Sequence, residues 1–125
     1  MDKESINKLT EQIINAAFEV LNALGTGFLE KVYENALFIE LKQRSIQVEQ
    51  QVPIRVYYKE NVAGEYYADL LVEDALVIEL KVVGQITGIH EAQLLNYLKA
   101  TKMKIGLILN FSKPKLEIKR LVNDL

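Results

Sequence analysis

The chain contains no cysteine and no tryptophan, and it has only one histidine and two prolines. Without cysteine there is no disulfide scaffold, no thiolate zinc site and no cysteine nucleophile. With His90 as the sole imidazole, no site can use two histidines, and a serine–histidine triad is not expected. Long apolar runs are also missing. The opening Met1-Asp2-Lys3-Glu4-Ser5 is charged and runs straight into an amphipathic pattern. Neither a membrane span nor a signal peptide is therefore expected, and the cytoplasm is the expected location. Charge of one sign is not in excess: 15 basic against 17 acidic residues leave a formal −2. That excludes a strongly basic nucleic-acid binder on bulk charge, while a local basic face stays open.

What is present suits one domain over residues 1–125, half of it hydrophobic and 26% of it charged. A chain of this length buries roughly two-thirds of its unfolded surface and needs no staple. The charge is uneven. Lys99, Lys102, Lys104, Lys113, Lys115, Lys119 and Arg120 face only Glu117 and Asp124, so the last part carries a formal +5 and the rest −7. Each lysine alone reads as a solvated flank or an edge-strand charge, whereas the set offers a polyanion backbone a place to rest.

Ile6, Leu9, Ile13, Ala17, Val20 and Leu24 recur at spacings of three and four, predicting a helix from about Ser5 to Ala23 that Gly25-Thr26-Gly27 ends. A second helix is predicted over Leu29 to Arg44, with Leu29, Val32, Tyr33, Ala36, Leu37 and Leu41 inward. From Val48 the period becomes two. Val48, Val52, Ile54, Val56 and Tyr58 form one side of a strand, and Pro53 suggests an edge or a bulge. A turn over Lys59–Gly64, a strand Glu65–Val72, a tight Glu73-Asp74 turn and a strand Ala75–Val83 follow. Thr87 is the expected N-cap for a helix from Gly88 to about Ala100, and Lys104–Asn110 reads as a strand buried on both faces. The tail from Pro114 reads equally as strand or short helix. A helix crossing between the third and fourth strands predicts a parallel pair in a mixed sheet.

The third strand is apolar except at Glu79 and Lys81, which share a face at i and i+2. Either that face is solvated and the two form an ordinary ion pair, or the charges are covered and hold something, because burying them unpaired costs several kcal/mol each. Val77 and Val83 on the same face argue for cover. Asp69 likewise interrupts the apolar second strand. Strict pairing about a Glu73-Asp74 turn sets Asp69 opposite Ile78; a turn longer by one residue sets it opposite Glu79. On a shared face, two carboxylates balanced only by Lys81 would repel, and a divalent cation resolves the conflict. Few hard oxygen ligands suit Mg²⁺ or Mn²⁺. A lysine beside them neutralises charge growing on a phosphoryl oxygen, the chemistry of metal-assisted phosphodiester hydrolysis.

Asp69…Glu79-Leu80-Lys81 resembles the PD-(D/E)XK nuclease signature, and the order helix, three strands, helix, strand resembles that superfamily's core. Gly27-Phe-Leu-Glu30-Lys-Val-Tyr33 is similar to the motif that names the GxxExxY family. His90-Glu-Ala-Gln93-Leu-Leu-Asn-Tyr97 resembles the Q-x-x-x-Y helix of the exonuclease-like branch. The resemblance spans about Ile6 to Leu121; it departs at Ala68, where the signature has proline, and at Tyr67, where relatives often carry arginine. It implies an α/β, restriction-endonuclease-like fold (α-β-β-β-α-β), a mixed central sheet flanked by helices with an extra N-terminal helix. It also implies a nuclease cutting DNA, or RNA, with metal-activated water. Asp69, Glu79 and the backbone carbonyl of Leu80 would hold Mg²⁺ (or Mn²⁺), Lys81 would stabilise hydroxide or transition state, and Glu30 and Gln93 would assist. Gly27, Tyr33, His90 and Tyr97 would support them.

Blander readings stand beside these roles: Glu30 as an exposed first-turn acid, Tyr33 as packing, His90 as a satisfied N-terminal-turn histidine. The competing function is a catalytically silent nucleic-acid-binding or protein-interaction module on the same fold. Tyr57, Tyr58, Tyr66 and Tyr67 on the first hairpin have an interface composition, and a symmetric homodimer is the expected use.

Overall fold

The computed structural model describes residues 1–123. Two helices open the chain, α1 (Lys3–Leu24) and α2 (Glu30–Gln43). The Asp2 carboxylate accepts the Ser5 N–H at 2.8 Å and starts α1 two residues before the predicted Ser5. Gly25, at φ +72°, ends it. The strands are β1 (Val48–Tyr58), β2 (Asn61–Val72), β3 (Leu76–Lys81), β4 (Ile105–Asn110) and β5 (Glu117–Val122), and α3 (Gly88–Thr101) links β3 to β4. They form one mixed sheet in the order β1-β2-β3-β4-β5, with β3 and β4 parallel and the other pairs antiparallel. The expected α/β, restriction-endonuclease-like arrangement is what forms. The undecided tail is an edge strand: all six residues of β4 are buried, and β5 satisfies its outer backbone edge.

The helices divide between the two faces. Against one face pack α1 and α2, with Leu70, Val72, Leu76, Ile78, Leu80, Leu107 and Leu109 of the sheet. Against the other packs α3, whose Leu94 and Leu98 meet Val77 and Ile108. In β3, even residues therefore face α1 and α2, and odd residues (Val77, Glu79, Lys81) face the side of α3.

Three expectations about facing are corrected. Leu29 and Val32 do not point inward; Leu29 is 80% exposed and is the N-cap of α2, whose buried stripe is Tyr33, Glu34, Leu37 and Leu41. The even positions of β1 do not share a face, since Val48 joins the α1/α2 core while Val52 and Ile54 join the α3 core. The switch falls at Gln51, whose φ is +50°, and β2 switches opposite it, at Asp69, between Ala68 and Leu70. Val56 and Tyr58 are exposed because the outer half of the hairpin extends beyond β3: β2 pairs with β1 from Asn61 but with β3 only at Leu70–Val72.

The turns also differ from their predicted lengths. Lys59 and Glu60 both take positive φ and close the first hairpin in two residues, so β2 begins at Asn61. Glu73 and Asp74 do the same, but Ala75 belongs to the connection too, its N–H donating to Val72 O at 3.0 Å. The register is Val72↔Leu76 and Leu70↔Ile78, one residue longer than the strict turn. Continued outward, it sets Asp69 opposite Glu79.

The α3 face depends on a close approach at Gly106 of β4, where an added Cβ would sit 2.9 Å from both Leu94 methyl carbons. Leu94 is fully buried, so it could give way only by pressing on its own neighbours. Gly106→Ala is expected to cost about 1–3 kcal/mol by overpacking. Gly84→Ala, at a position with nothing within 4 Å, is expected to cost far less. Urea midpoints of the two variants check this, and equal midpoints would show that the helix does not press on β4.

Candidate active site

At Asp69 and Glu79 the β2–β3 ladder stops and side chains take over its hydrogen bonds. The Leu80 N–H donates to Asp69 Oδ2 at 2.9 Å, and the Asp69 N–H donates to Glu79 Oε1 at 3.3 Å. Each carboxylate thus occupies a place that a backbone carbonyl would fill in a continuing sheet. Glu79 is 6% exposed, and Asp69 is half-buried. Burial, and next the charge of Asp69, push the Glu79 carboxyl up to about 9. The ordinary Glu79–Lys81 ion pair does not form: Lys81 makes no salt bridge within 4 Å among the described residues, and it is half-buried.

Glu30 reaches this point from the other side of the sheet. Burial and the nearby Asp69 raise its pKa, against the pull of Lys81 and of the Val82 backbone N–H. Its place follows from the residues around it. Gly27 takes φ +105°, a conformation L side chains rarely adopt, and lets the chain turn into α2. One turn after Glu30, the Tyr33 hydroxyl donates to Gly25 O at 2.6 Å and accepts the Phe28 N–H at 3.3 Å. Its ring, fully buried, stacks on Phe111 at 4.8 Å. Tyr33 is a brace that ties the α1–α2 loop to the core, and Glu30 hangs from that brace.

From the opposite face, α3 brings Tyr97 and Gln93. Tyr97 is 6% exposed; burial first, then the charges of Glu79 and Asp69, push its phenol up to about 12. Gln93, one turn earlier, is exposed and lines the same cleft as Tyr97. His90 does what the blander reading expected: its Nδ1 accepts the Thr87 N–H at 3.0 Å in a capping box at the start of α3.

Several residues at the site were not singled out in the sequence. The Gln51 carboxamide donates to Glu34 Oε1 at 2.9 Å and to Asp69 Oδ1 at 3.2 Å, joining two acids through one group. Glu34 is 3% exposed and is held by Lys31 at 2.7 Å and Gln50 at 2.8 Å. Asn110, buried opposite Lys81 in the β3–β4 register, accepts the Val83 N–H and donates to Val83 O, pinning the chain where it leaves β3. Adjacent glutamines before a strand proline were the only local hint of the first group; nothing local marks the second.

The basic residues do not act as a set. Lys113 and Lys115 border a hollow with Gly84 and Gln85, beyond the Lys81 end of β3. Lys99, Lys102 and Lys104 gather with Asn123 at the start of β4, the other end of the sheet. Lys119 pairs with Glu91 at 3.4 Å and Arg120 donates to Asn7 at 2.7 Å.

The donor set fits a small hard cation. No three Asp, Glu or His side chains converge on one point among the described residues. A cation here would take the two carboxylates of Asp69 and Glu79 and complete its shell from backbone and water, as Mg²⁺ does. It would also offset the burial and the Asp69 charge that push the Glu79 carboxyl upward.

A family model described as the PD-(D/E)XK nuclease superfamily matches residues 7–121. The crystal structure of SSO0001 has a similar fold, with a TM-score of 0.58 at 23% sequence identity, covering 76% of this chain and 50% of that one. The present chain therefore spans about half the length of that relative. No curated protein matches. No helix among the described residues is long and apolar enough to cross a membrane.

The raised Glu79 carboxyl predicts a pH dependence in chelator. A pKa raised on folding, here from 4.5 to about 9, gives stability that is intact below the lower value and lost as pH climbs through the upper one. The unmodified protein is expected to lose stability across that window, and Glu79→Gln to show a flatter profile and higher stability near its top. Urea midpoints measured against pH check this; parallel profiles would mean that Glu79 is not held neutral.

Proposed function

We infer the function from one premise: the chain belongs to the PD-(D/E)XK nuclease superfamily. We propose that it is a metal-dependent nuclease hydrolysing phosphodiester bonds of DNA, with RNA as the alternative substrate. The observation that carries this reading is the break in the β2–β3 ladder, where Asp69 and Glu79 exchange hydrogen bonds with each other's strand and Lys81 follows two residues on. Asp69, Glu79 and the backbone carbonyl of Leu80 would hold Mg²⁺ or Mn²⁺. Bound there, the cation supplies a low-pKa water and a Lewis acid for the phosphoryl oxygen.

The chain's own groups do the rest. Lys81, half-buried and without an ion pair among the described residues, is available to offset the negative charge that develops on the phosphoryl oxygens. Glu30, whose carboxyl burial and Asp69 hold above its ordinary value, would assist beside Asp69 and Lys81. Gln93 orients the substrate from α3. The Gly27, Glu30 and Tyr33 arrangement supports membership of the GxxExxY group, since each residue of that motif has a distinct physical task. We further propose a symmetric homodimer through the first hairpin, where Tyr57, Tyr58 and Tyr67 are exposed, while the Tyr66 ring lies against Tyr97 instead.

Incubation with single- and double-stranded DNA and RNA, in Mg²⁺ or Mn²⁺ against chelator, tests the reading; cleavage is expected only with metal. Asp69→Ala should lose metal binding and cleavage together, because one carboxylate holds Mg²⁺ poorly. Lys81→Ala should bind metal about as well as the unmodified protein and cut about 10²-fold more slowly, or worse. Nucleic-acid binding without cleavage under any metal would instead identify a silent binding module.

A further inference from the structure

Between α3 and the β1–β2 hairpin lies a cleft of about 470 Å³, within the size range of ligand sites. Its walls are Val56 and Tyr66 on the hairpin and Ile89, Gln93, Asn96 and Tyr97 on α3. None of these side chains is charged, so the occupant it suits is neutral rather than a phosphate. The apolar part is unusually open for such residues, Ile89 being 81% exposed. The polar part is unspent: neither carboxamide, of Gln93 or of Asn96, has a hydrogen-bond partner among the described residues. The Tyr97 hydroxyl likewise has no hydrogen-bond partner among the described residues and reaches solvent at the cleft, although most of its ring is buried. The Tyr66 and Tyr97 rings lie 5.5 Å apart and tilted, leaving part of the Tyr66 ring to the cleft. Tyr97 packs with Ala68 and Val77 on the face of the sheet that Glu79 shares, so the cleft borders the acid site.

We propose that this cleft is a subsite for an unpaired nucleobase, and that the substrate class is single-stranded nucleic acid or a frayed end. This rests on the nuclease reading above and extends it to substrate form. A base offers a flat apolar face and an edge of donors and acceptors, which match an aromatic ring with aliphatic walls and two carboxamides. In a duplex both the face and the pairing edge are occupied; only an unpaired base presents them. A base seated here would leave its own charged phosphate outside the uncharged cleft, which borders the site of Asp69 and Glu79.

The test uses Lys81→Ala in Mg²⁺, so that binding is read with little cleavage. Fluorescence anisotropy compares a short oligothymidylate, the same strand with abasic sites, and a duplex of equal length. The oligothymidylate is expected to bind about tenfold or more tightly than the abasic strand. Adding Asn96→Ala, an exposed helix position where alanine is well tolerated, or Tyr66→Leu should erase most of that preference and leave abasic-strand binding unchanged. Equal binding of all three forms, unmoved by either variant, would overturn the subsite while leaving the nuclease reading intact. No binding to any form, together with no metal-dependent cleavage by the unmodified protein, would remove both. A dimer in light scattering that Asn96→Ala or Tyr66→Leu converts to monomer would assign the cleft to a second copy of the chain and overturn the proposal.

Discussion

The site depends on a pair of carboxylates standing in for backbone carbonyls where two strands part. Sheets normally continue pairing or expose their edge, because an unsatisfied N–H is costly. Here the Asp69 and Leu80 N–H groups are satisfied by Glu79 and Asp69 themselves. The hydrogen bonds that hold the strands together thus hold the acids at a fixed separation. The same arrangement keeps Glu79 buried and drives its carboxyl towards neutrality, a conflict that a bound cation would relieve.

The surrounding structure serves that pair from both sides of the sheet. On one side, Gly27 and Tyr33 fix the entry to α2, so that Glu30 arrives by way of a rigid loop rather than a free helix end. Glu34, buried and paired, steadies Asp69 through the Gln51 amide, and Gln51 holds a left-handed backbone that a side chain adopts at some cost. On the other side, α3 is set by its capping box and by the close approach of Leu94 to Gly106, and it delivers Tyr97 behind the acids.

Charge is deployed locally. With a formal −2 overall, the chain cannot gather a polyanion by its bulk field, and its lysines are divided between the two ends of the sheet. On the nuclease reading, the groups of this chain placed to meet a polyanion are Lys81 and the lysines past the end of β3.

The sequence by itself determined the periodic features. Spacings of three and four located the first helix, and an N-cap residue, Thr87, located the third. Alternation placed Glu79 and Lys81 on one face of β3, and the Gly27-x-x-Glu30-x-x-Tyr33 spacing marked the entry to α2. These were legible because a side chain's face within one element is a local property. Whether Asp69 meets Glu79 was not local. It turned on Ala75 joining the connection between β2 and β3, which shifts the register by one residue and would otherwise have sent one acid to the opposite face. The face change at Gln51 and Asp69, the exposure of Leu29 and Val32, the strand made by the tail, and the dispersal of the lysines were likewise decided only in the tertiary structure. Each depends on which distant segment lies alongside, and no periodicity within a single element encodes that partner.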